Sequence, residues 1–445
     1  MKKLLGMTSV AALMLAAASG ASAAERVKFD FWHGLTGDLG GVVDKVCARF
    51  NESQPDYEVV CTSQGSYDAA LQNTIAAYRA KKSPAIVQVF DAGTLDLMLS
   101  DAYLPAPKLM EDNGYKINWG DYFPGIGDYY ANSKGVLNSF PFNSSTAMFY
   151  WNKEAFAKVG KTEAPKTIEE MGEDMKALKA AGYECPMAWN YDTWPAMEQF
   201  SAIHNLPIAT KNNGYDGLDA ELVVNKTKFV DYIKFLKKAH DDGEIKIKTP
   251  ATGETLVQSF AAGNCQIMLS SIADHGTVTK TGKPGLSWDV AMLPVYAGTT
   301  RKNSLVGGAS LWVMQGHTAA ENKGAAAFLN FLASPESALF WSTNTGYIPV
   351  TKSGFDFMKG QGFYDKAPYK GRELAIASLT ASDVGPLSRG IRLGGFVQIR
   401  KEMGDALQDI FANKVSVDDG LNAAVERSNT VLRRFEATYK GKQLP

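Results

Sequence analysis

The chain of 445 residues has little cysteine and no excess of charge of either sign. Four cysteines are too few to hold together a chain of this size, so the core cannot depend on them. The 46 basic and 47 acidic residues give a net charge of −1, which leaves no basic surplus for nucleic-acid binding. With 45% hydrophobic residues, the composition is that of a folded protein, and the length indicates two or three domains.

No apolar run long enough to span a membrane follows residue 23. Residues 1–23 have the three parts of a secretory signal peptide. Lys2 and Lys3 are followed by an apolar stretch over 4–18 and an Ala-Ser-Ala cleavage site at 21–23. No cysteine lies at the junction, so a lipid anchor is not expected. We predict that residues 1–23 are removed and that the mature protein is exported.

Motifs of the common enzyme classes are missing. The sequence contains no G-x-S-x-G, P-loop, G-x-G-x-x-G, H-E-x-x-H or C-x-x-C. The five histidines are scattered without metal-ligand or triad spacing, so we interpret each as a structural or surface residue. No enzyme activity, cofactor or metal is therefore expected. A pair of glycosidase carboxylates cannot be recognised from sequence alone, which leaves a secreted hydrolase open as an alternative.

The first part of the predicted mature chain alternates between strand and helix patterns. Strands are predicted over 27–32, 57–62 and 85–90, and helices over 34–51 and 69–79. This order is typical of an open α/β sheet, in which ligands bind at the carboxyl ends of the strands. The loops that carry His33, Tyr67 and Asp91 should therefore lie at one edge of the sheet.

A second α/β block follows along the chain. It contains predicted strands over 147–151 and 266–269, a helix that begins with a capping box of Thr167 and Glu170, and a helix over 229–240. Its other predicted elements are strands over 288–295 and 310–314, a helix over 323–333 and a mostly helical C-terminal quarter. Because no flexible linker separates the blocks, we expect a chain that crosses between two lobes more than once.

The cysteines allow three pairings in an oxidising compartment. Cys47 and Cys61 are the favoured local pair, because only a short link separates their predicted helix and strand. Cys185 and Cys265 are the other two cysteines. Free buried thiols are the alternative.

Aromatic residues in predicted loops and at strand ends indicate a binding cleft. They are Trp32, Tyr67, Tyr191, Trp194 and Tyr347. Converging rings pack well against the C–H face of a polyol or sugar, although a single loop aromatic more often completes local core. Polar clusters at 143–146 and 307–310 precede strands and offer hydroxyls and backbone amides, but serine and glycine also simply form turns.

Six segments in order carry a resemblance to a known family. They are F-W-H-G (31–34), P-F-N-S-S-T (141–146), G-G-A-S-L-W-V-M-Q-G (307–316), T-G-Y-I-P-V-T-K (345–352), R-L-G with Q-I-R (392–400) and A-V-E-R-S-N-T-V-L-R-R-F-E (424–436). Together they resemble the glycerol-3-phosphate-binding branch of the extracellular solute-binding proteins of the maltose-binding type. The resemblance covers about residues 27–435.

The resemblance implies a type II periplasmic binding-protein fold. Two α/β lobes would be joined by three crossing segments near Phe140, Gly307 and Tyr347, with the ligand in the cleft between the lobes. The N-terminal lobe would comprise residues 24–139 and 308–346. The C-terminal lobe would comprise residues 140–307 and 347–445.

The resemblance also implies the ligand-binding positions. They fall on Tyr67, Asp91, Ser145, Tyr191, Trp194, Ser271, Gly308, Tyr347 and Arg400. Two of them depart from the family: Asp91 stands where glutamate is typical, and Tyr191 replaces a tryptophan. We expect Arg400 to bind phosphate oxygens and Asp91 to accept from ligand hydroxyls. The structural alternatives are an interlobe salt bridge for Arg400 and a helix cap at 93–94 for Asp91.

The implied function is that of a non-enzymatic periplasmic receptor. It would capture sn-glycerol 3-phosphate, or glycerophosphodiesters such as glycerophosphocholine, by lobe closure. It would then deliver the ligand, as a monomer, to an inner-membrane ABC permease with its ATPase. A receptor for a neutral sugar or oligosaccharide is the first alternative, and a secreted glycoside or phosphodiester hydrolase is the second.

Overall fold

A computed structural model describes residues 25–445, so the predicted signal peptide over 1–23 lies outside the described residues. The strands are β1 (Val27–His33), β2 (Tyr57–Ser63), β3 (Ile86–Phe90), β4 (Tyr103–Leu104), β5 (Phe140–Ser145), β6 (Ala147–Asn152), β7 (Met187–Trp189), β8 (Ile245–Ile247), β9 (Ile267–Ser271), β10 (Trp288–Met292) and β11 (Gly307–Met314).

The α-helices lie mostly between the strands and in the C-terminal quarter. They are α1 (Gly37–Ser53), α2 (Tyr67–Arg79), α3 (Thr94–Ser100), α4 (Ala106–Asp112), α5 (Pro124–Tyr130), α6 (Lys153–Lys158), α7 (Ile168–Ala180), α8 (Phe200–Ile203), α9 (Thr210–Asn213), α10 (Phe229–Asp241), α11 (Leu256–Ala261), α12 (Asp274–Thr281), α13 (Ala319–Leu332), α14 (Pro335–Asn344), α15 (Lys352–Gly360), α16 (Glu373–Leu379), α17 (Phe396–Phe411) and α18 (Val417–Thr438). Within residues 25–445, no helix has both the length and the apolar character needed to cross a membrane.

The strands form two sheets, each flanked by helices. The first has the order β2-β1-β3-β11-β4, with β5 paired to β11, and the second has the order β10-β6-β9-β7-β8. In the first sheet β1 is parallel to β2 and β3, whereas β11 is antiparallel to its neighbours. The prediction of a two-lobed α/β fold is thereby confirmed.

The central strand β3 explains how the first sheet positions polar groups. All five of its residues are buried, as expected for a strand covered on both faces. Gln88, its one polar residue, accepts a hydrogen bond from the Gly34 amide at 2.8 Å and donates to Asn143 Oδ1 at 2.8 Å. Helix α1 begins at Gly37, three residues later than the sequence predicts, because Thr36 has an extended backbone and forms the N-cap.

Three chain segments run side by side between the sheets. Only Thr146 separates β5, in the first sheet, from β6, in the second. Gly307, at the start of β11, pairs with Ser145, and Ile348 bridges to Ser144. These contacts lie close to the three predicted crossings. The division of the chain into lobes at 139/140, 307/308 and 346/347 stays a prediction.

Both pairs of cysteines form disulfides, and no free cysteine is present among the described residues. Cys47 of α1 is bonded to Cys61 of β2, which confirms the local pair predicted from the sequence. Cys185 and Cys265, 80 residues apart, form the second bond. They meet because each lies two residues before a strand of the parallel pair β7 and β9. The alternative of free thiols is wrong.

Candidate ligand-binding cleft

An arginine held by two carboxylates lies at the centre of the candidate site. Arg400, on α17, donates from Nε to Glu198 Oε1 at 2.7 Å and from Nη2 to Glu198 Oε2 at 2.8 Å. Its Nη2 also donates to Asp91 Oδ1 at 2.5 Å. The three side chains are largely buried, with exposed fractions of 17% for Arg400, 6% for Asp91 and 1% for Glu198. The guanidinium is therefore fixed in place before any ligand arrives.

The Arg400–Asp91 pair joins the two halves of the molecule. Asp91 follows β3 of the first sheet, whereas α17 packs beside β7 of the second, with Phe411 against Trp189. The interlobe salt bridge that the sequence analysis held as the alternative role of Arg400 is thus present. The helix-cap alternative for Asp91 is wrong, because neither the turn at 91–93 nor α3 receives a side-chain cap. Instead, Asp91 Oδ2 accepts from the Gly308 amide at 3.2 Å.

Glu198 is the functional candidate that the sequence analysis missed. It lies in a π-helical turn, Trp194–Gln199, and such turns are frequent at functional sites. Burial raises the pKa of Glu198 to about 7, although the charge and hydrogen bonds of Arg400 oppose the rise. The one signal in the sequence was its position four residues after Trp194, about one helical turn from a predicted pocket residue.

The electrostatic balance of the cleft is acidic. The charges of two neighbouring carboxylates, Asp91 and Asp192, also raise the pKa of Glu198. Asp274, which accepts from the Ser270 hydroxyl, has its pKa raised to about 6, chiefly by burial and also by Asp192. Three carboxyl groups, those of Asp91, Asp192 and Glu198, therefore act on the Arg400 guanidinium, and Asp274 interacts with Asp192. No group of three or more His, Cys, Asp or Glu side chains within residues 25–445 is arranged to hold a metal.

Two tyrosine hydroxyls meet beside this cluster. Tyr67 Oη and Tyr347 Oη lie 3.3 Å apart, and Tyr67 Oη accepts from Asn143 Nδ2 at 2.7 Å. Since Asn143 is itself oriented by Gln88, a chain of hydrogen bonds holds the Tyr67 hydroxyl in place. The Tyr67 ring stacks on Phe90, directly before Asp91, with ring centres 5.4 Å apart.

Trp194 and the glycines of β11 are in close contact. A Cβ on Gly307 would lie 2.3 Å from Trp194 Cζ2, so the indole needs glycine at this position. Gly308 has a φ of +102°, and a Cβ there would lie 1.9 Å from the Asn143 carbonyl oxygen. The Trp194 indole N–H is buried without a hydrogen-bond partner among the described residues. It is a donor available to a ligand.

Seven of the nine predicted site residues are thus linked by direct contacts or strand pairing. They are Tyr67, Asp91, Ser145, Trp194, Gly308, Tyr347 and Arg400. The other two make different contacts: the Ser271 hydroxyl accepts from the Ala273 amide, and Tyr191 packs edge-on against Trp189 and Phe411. His33, predicted at the same edge, is buried and packs against Phe31.

Comparisons with known proteins identify the family of the chain. The bacterial extracellular solute-binding protein family matches residues 45–361. The chain is 38% identical to the sn-glycerol-3-phosphate-binding periplasmic protein UgpB of Escherichia coli K12, with 99% of this chain and 100% of that protein covered. It is 37% identical to the protein of the same name from Shigella flexneri, with the same coverage.

Solved structures share the fold. The UgpB of Mycobacterium tuberculosis, in complex with glycerophosphocholine, superposes with a TM-score of 0.74 at 19% identity, covering 92% of this chain and 99% of that one. The sugar-binding protein MalE of Xanthomonas citri superposes with a TM-score of 0.73 at 18% identity, covering 94% and 100%. The resemblance seen in the sequence is confirmed, and the chain belongs to the bacterial extracellular solute-binding protein family.

Proposed function

We propose that this protein is the periplasmic receptor of an ABC importer and that it captures a glycerophosphodiester or sn-glycerol 3-phosphate in the cleft around Arg400. The observation that carries the proposal is the cluster of Arg400 with Asp91 and the Gly308 amide, which joins elements of both sheets at one point. The relatives that are 37–38% identical over nearly the whole chain are named for sn-glycerol 3-phosphate. Binding proteins of this kind carry their ligand and leave it unchanged.

The charge of the cleft favours a phosphodiester over a phosphomonoester. A monoester carries about −1.5 to −2 charges at pH 7, whereas a diester carries one. Arg400 already shares its positive charge with two carboxylates, so every additional negative charge on the ligand is repelled. A cationic group elsewhere in the ligand would be attracted to the surplus acids and to the Trp194 ring. Glycerophosphocholine has this combination, and we propose it as the preferred ligand.

Different cleft residues can bind different parts of such a ligand. Arg400 Nη1 takes part in none of the side-chain hydrogen bonds found within residues 25–445, so it can donate to a phosphate oxygen without breaking the ion pairs. A charged hydrogen bond contributes about 1.5–3 kcal/mol, and micromolar affinity needs about 8 kcal/mol. The Tyr67 and Tyr347 hydroxyls and the Trp194 N–H must therefore contribute as well. Asp91 would accept from the glycerol hydroxyls.

The remaining parts of the proposal concern location and partners. An export signal over 1–23 would place the receptor in the periplasm, where both disulfides are stable. Lobe closure around the ligand would present both lobes to an inner-membrane permease with its ATPase, and we propose that the receptor acts as a monomer.

Calorimetric titration of ligand-stripped, refolded mature protein tests the proposal. Glycerophosphocholine, sn-glycerol 3-phosphate and maltose are compared at pH 7.5. We expect one molecule of glycerophosphocholine to bind per chain, the monoester to bind more weakly and maltose to give no heat. Trp194→Ala should weaken glycerophosphocholine binding, whereas Trp119→Ala, outside the cleft, should not. Binding of maltose alone would refute the ligand class, and turnover of any of the ligands would revive the hydrolase.

A further inference from the structure

A second cavity, of about 360 Å³, lies between α1, α14 and two of the chain segments that connect the sheets. Its walls combine aromatic residues, Phe142, Phe331, Phe340 and Trp341, with aliphatic and polar ones. None of the nine predicted cleft residues lines it. The cavity is therefore separate from the candidate ligand cleft.

Two positively charged side chains line this cavity. Arg49, on α1, places its guanidinium 4.2 Å from the centre of the Phe340 ring, and Lys116 lies in the loop after α4. Neither forms an ion pair with any carboxylate within residues 25–445. The one acidic residue of the lining, Asp121, accepts hydrogen bonds from the Ser353 amide and hydroxyl. The lining therefore has a net charge of +1.

Trp341 adds an unused donor. The residue is 5% exposed and lines the cavity, and its indole N–H is buried without a hydrogen-bond partner among the described residues. A buried donor left unpaired costs about 1–3 kcal/mol. Its neighbours Tyr347 and Phe142 present ring faces rather than acceptors, since their rings stack on or tilt against the indole.

We propose that this cavity is a second binding site, one that takes a small organic anion with an aromatic or otherwise apolar body. The apolar body would fill the space between the phenylalanine rings, and the anionic group would bind between Arg49 and Lys116. Pockets of this volume that combine apolar walls with polar groups are typical of small-molecule sites. An inorganic anion would leave the apolar walls unfilled. The proposal is independent of which ligand occupies the cleft.

A pair of fluorescent probes tests the site on the full mature protein. 1-Anilinonaphthalene-8-sulfonate has the required anion and rings, and N-phenyl-1-naphthylamine has the same rings without the charge. We expect one equivalent of the sulfonate to bind, at least tenfold more tightly than the neutral probe. The double variant Arg49→Gln/Lys116→Gln should lose at least tenfold in affinity for the sulfonate. The control Lys134→Gln/Lys246→Gln, which removes two exposed charges elsewhere, should bind as the wild type does.

Two further variants locate the probe. Ala338→Phe places a ring in the cavity and should abolish binding, while Trp194→Ala in the cleft should leave it unchanged. Equal affinity of the wild type and Arg49→Gln/Lys116→Gln would overturn the proposal. So would loss of binding in Trp194→Ala with retention in the double variant, because the sulfonate would then occupy the cleft. Circular dichroism of each variant excludes misfolding as the cause.

Discussion

The charge of Glu198 should control which phosphate ligand the cleft prefers. Glu198→Gln keeps the size of the side chain and removes one negative charge next to Arg400. A phosphate bound on the free edge of the guanidinium would lie about 7 Å from this carboxylate. At that distance and an effective dielectric constant of about 20, the repulsion between two unit negative charges is about 2.4 kcal/mol. Removing the charge of Glu198 therefore relieves twice this repulsion for a monoester with two charges, but only once for a diester with one.

The expected result is a shift in selectivity of about 2.4 kcal/mol, roughly fifty-fold, toward sn-glycerol 3-phosphate relative to glycerophosphocholine. Calorimetric titrations of both ligands at pH 8 measure the ratio, because Glu198, with its pKa raised to about 7 by burial, is then ionised in the wild type. Because burial raises the pKa of Glu198, the difference between the two proteins should shrink as the pH is lowered. Glu426→Gln, an exposed site, is the control.

An unchanged ratio of the two affinities in Glu198→Gln would refute the reasoning, provided that the variant is folded. It would mean that the ligand phosphate lies far from the Arg400–Glu198 pair. Urea unfolding monitors the fold.

Three further predictions concern stability, each measured by urea unfolding. Gly308→Ala should cost at least about 3 kcal/mol, since its Cβ would meet the Asn143 carbonyl, whereas Gly298→Ala, with a φ of +79° and open space, should cost about 1 kcal/mol. Replacing Cys185 and Cys265 by serine opens a loop of 80 residues and should cost about 4.5 kcal/mol. Burial lowers the pKa of His204 to about 4, so the unfolded chain takes up a proton below about pH 6.5 and the folded chain does not. Wild-type stability should therefore lose about 3 kcal/mol from this group between pH 6.5 and pH 4, and His204→Gln should lack that loss.

The sequence predicted several strands of both sheets and the local disulfide because both depend on short-range patterns, but it did not predict β4, β5, β7 and β8. The alternation in 27–32 and the buried run over 85–90 correspond to β1 and β3. The start of α13 was predicted four residues late, because its capping box of Thr318 and Glu321 precedes the apolar stripe. The second disulfide could not be assigned from the sequence, because Cys185 and Cys265 are 80 residues apart. The parallel alignment of β7 and β9 brings them together.

The electrostatics of the cleft could not be predicted in the same way. Glu198 and Arg400 are 202 residues apart, and Asp91 is 309 residues from Arg400. Apart from its position one helical turn after Trp194, nothing in the local sequence around Glu198 distinguishes it from an exposed helical glutamate. Its role depends on a π-helical turn and on packing against α17 that places the carboxylate on the guanidinium. The sequence therefore predicted which groups meet in the cleft better than it predicted their net charge.

That net charge changes how Arg400 should act in binding. A lone buried guanidinium would have to be ordered by the ligand and would hold a dianion tightly. Here the Arg400 guanidinium is already held by Glu198, and its ion pair with Asp91 links it to the first sheet before a ligand binds. Part of the energy of closing the cleft therefore comes from an ion pair within the protein, and the ligand supplies only the remainder. A receptor built in this way would hold a zwitterionic diester firmly enough to capture it and release it once the lobes separate.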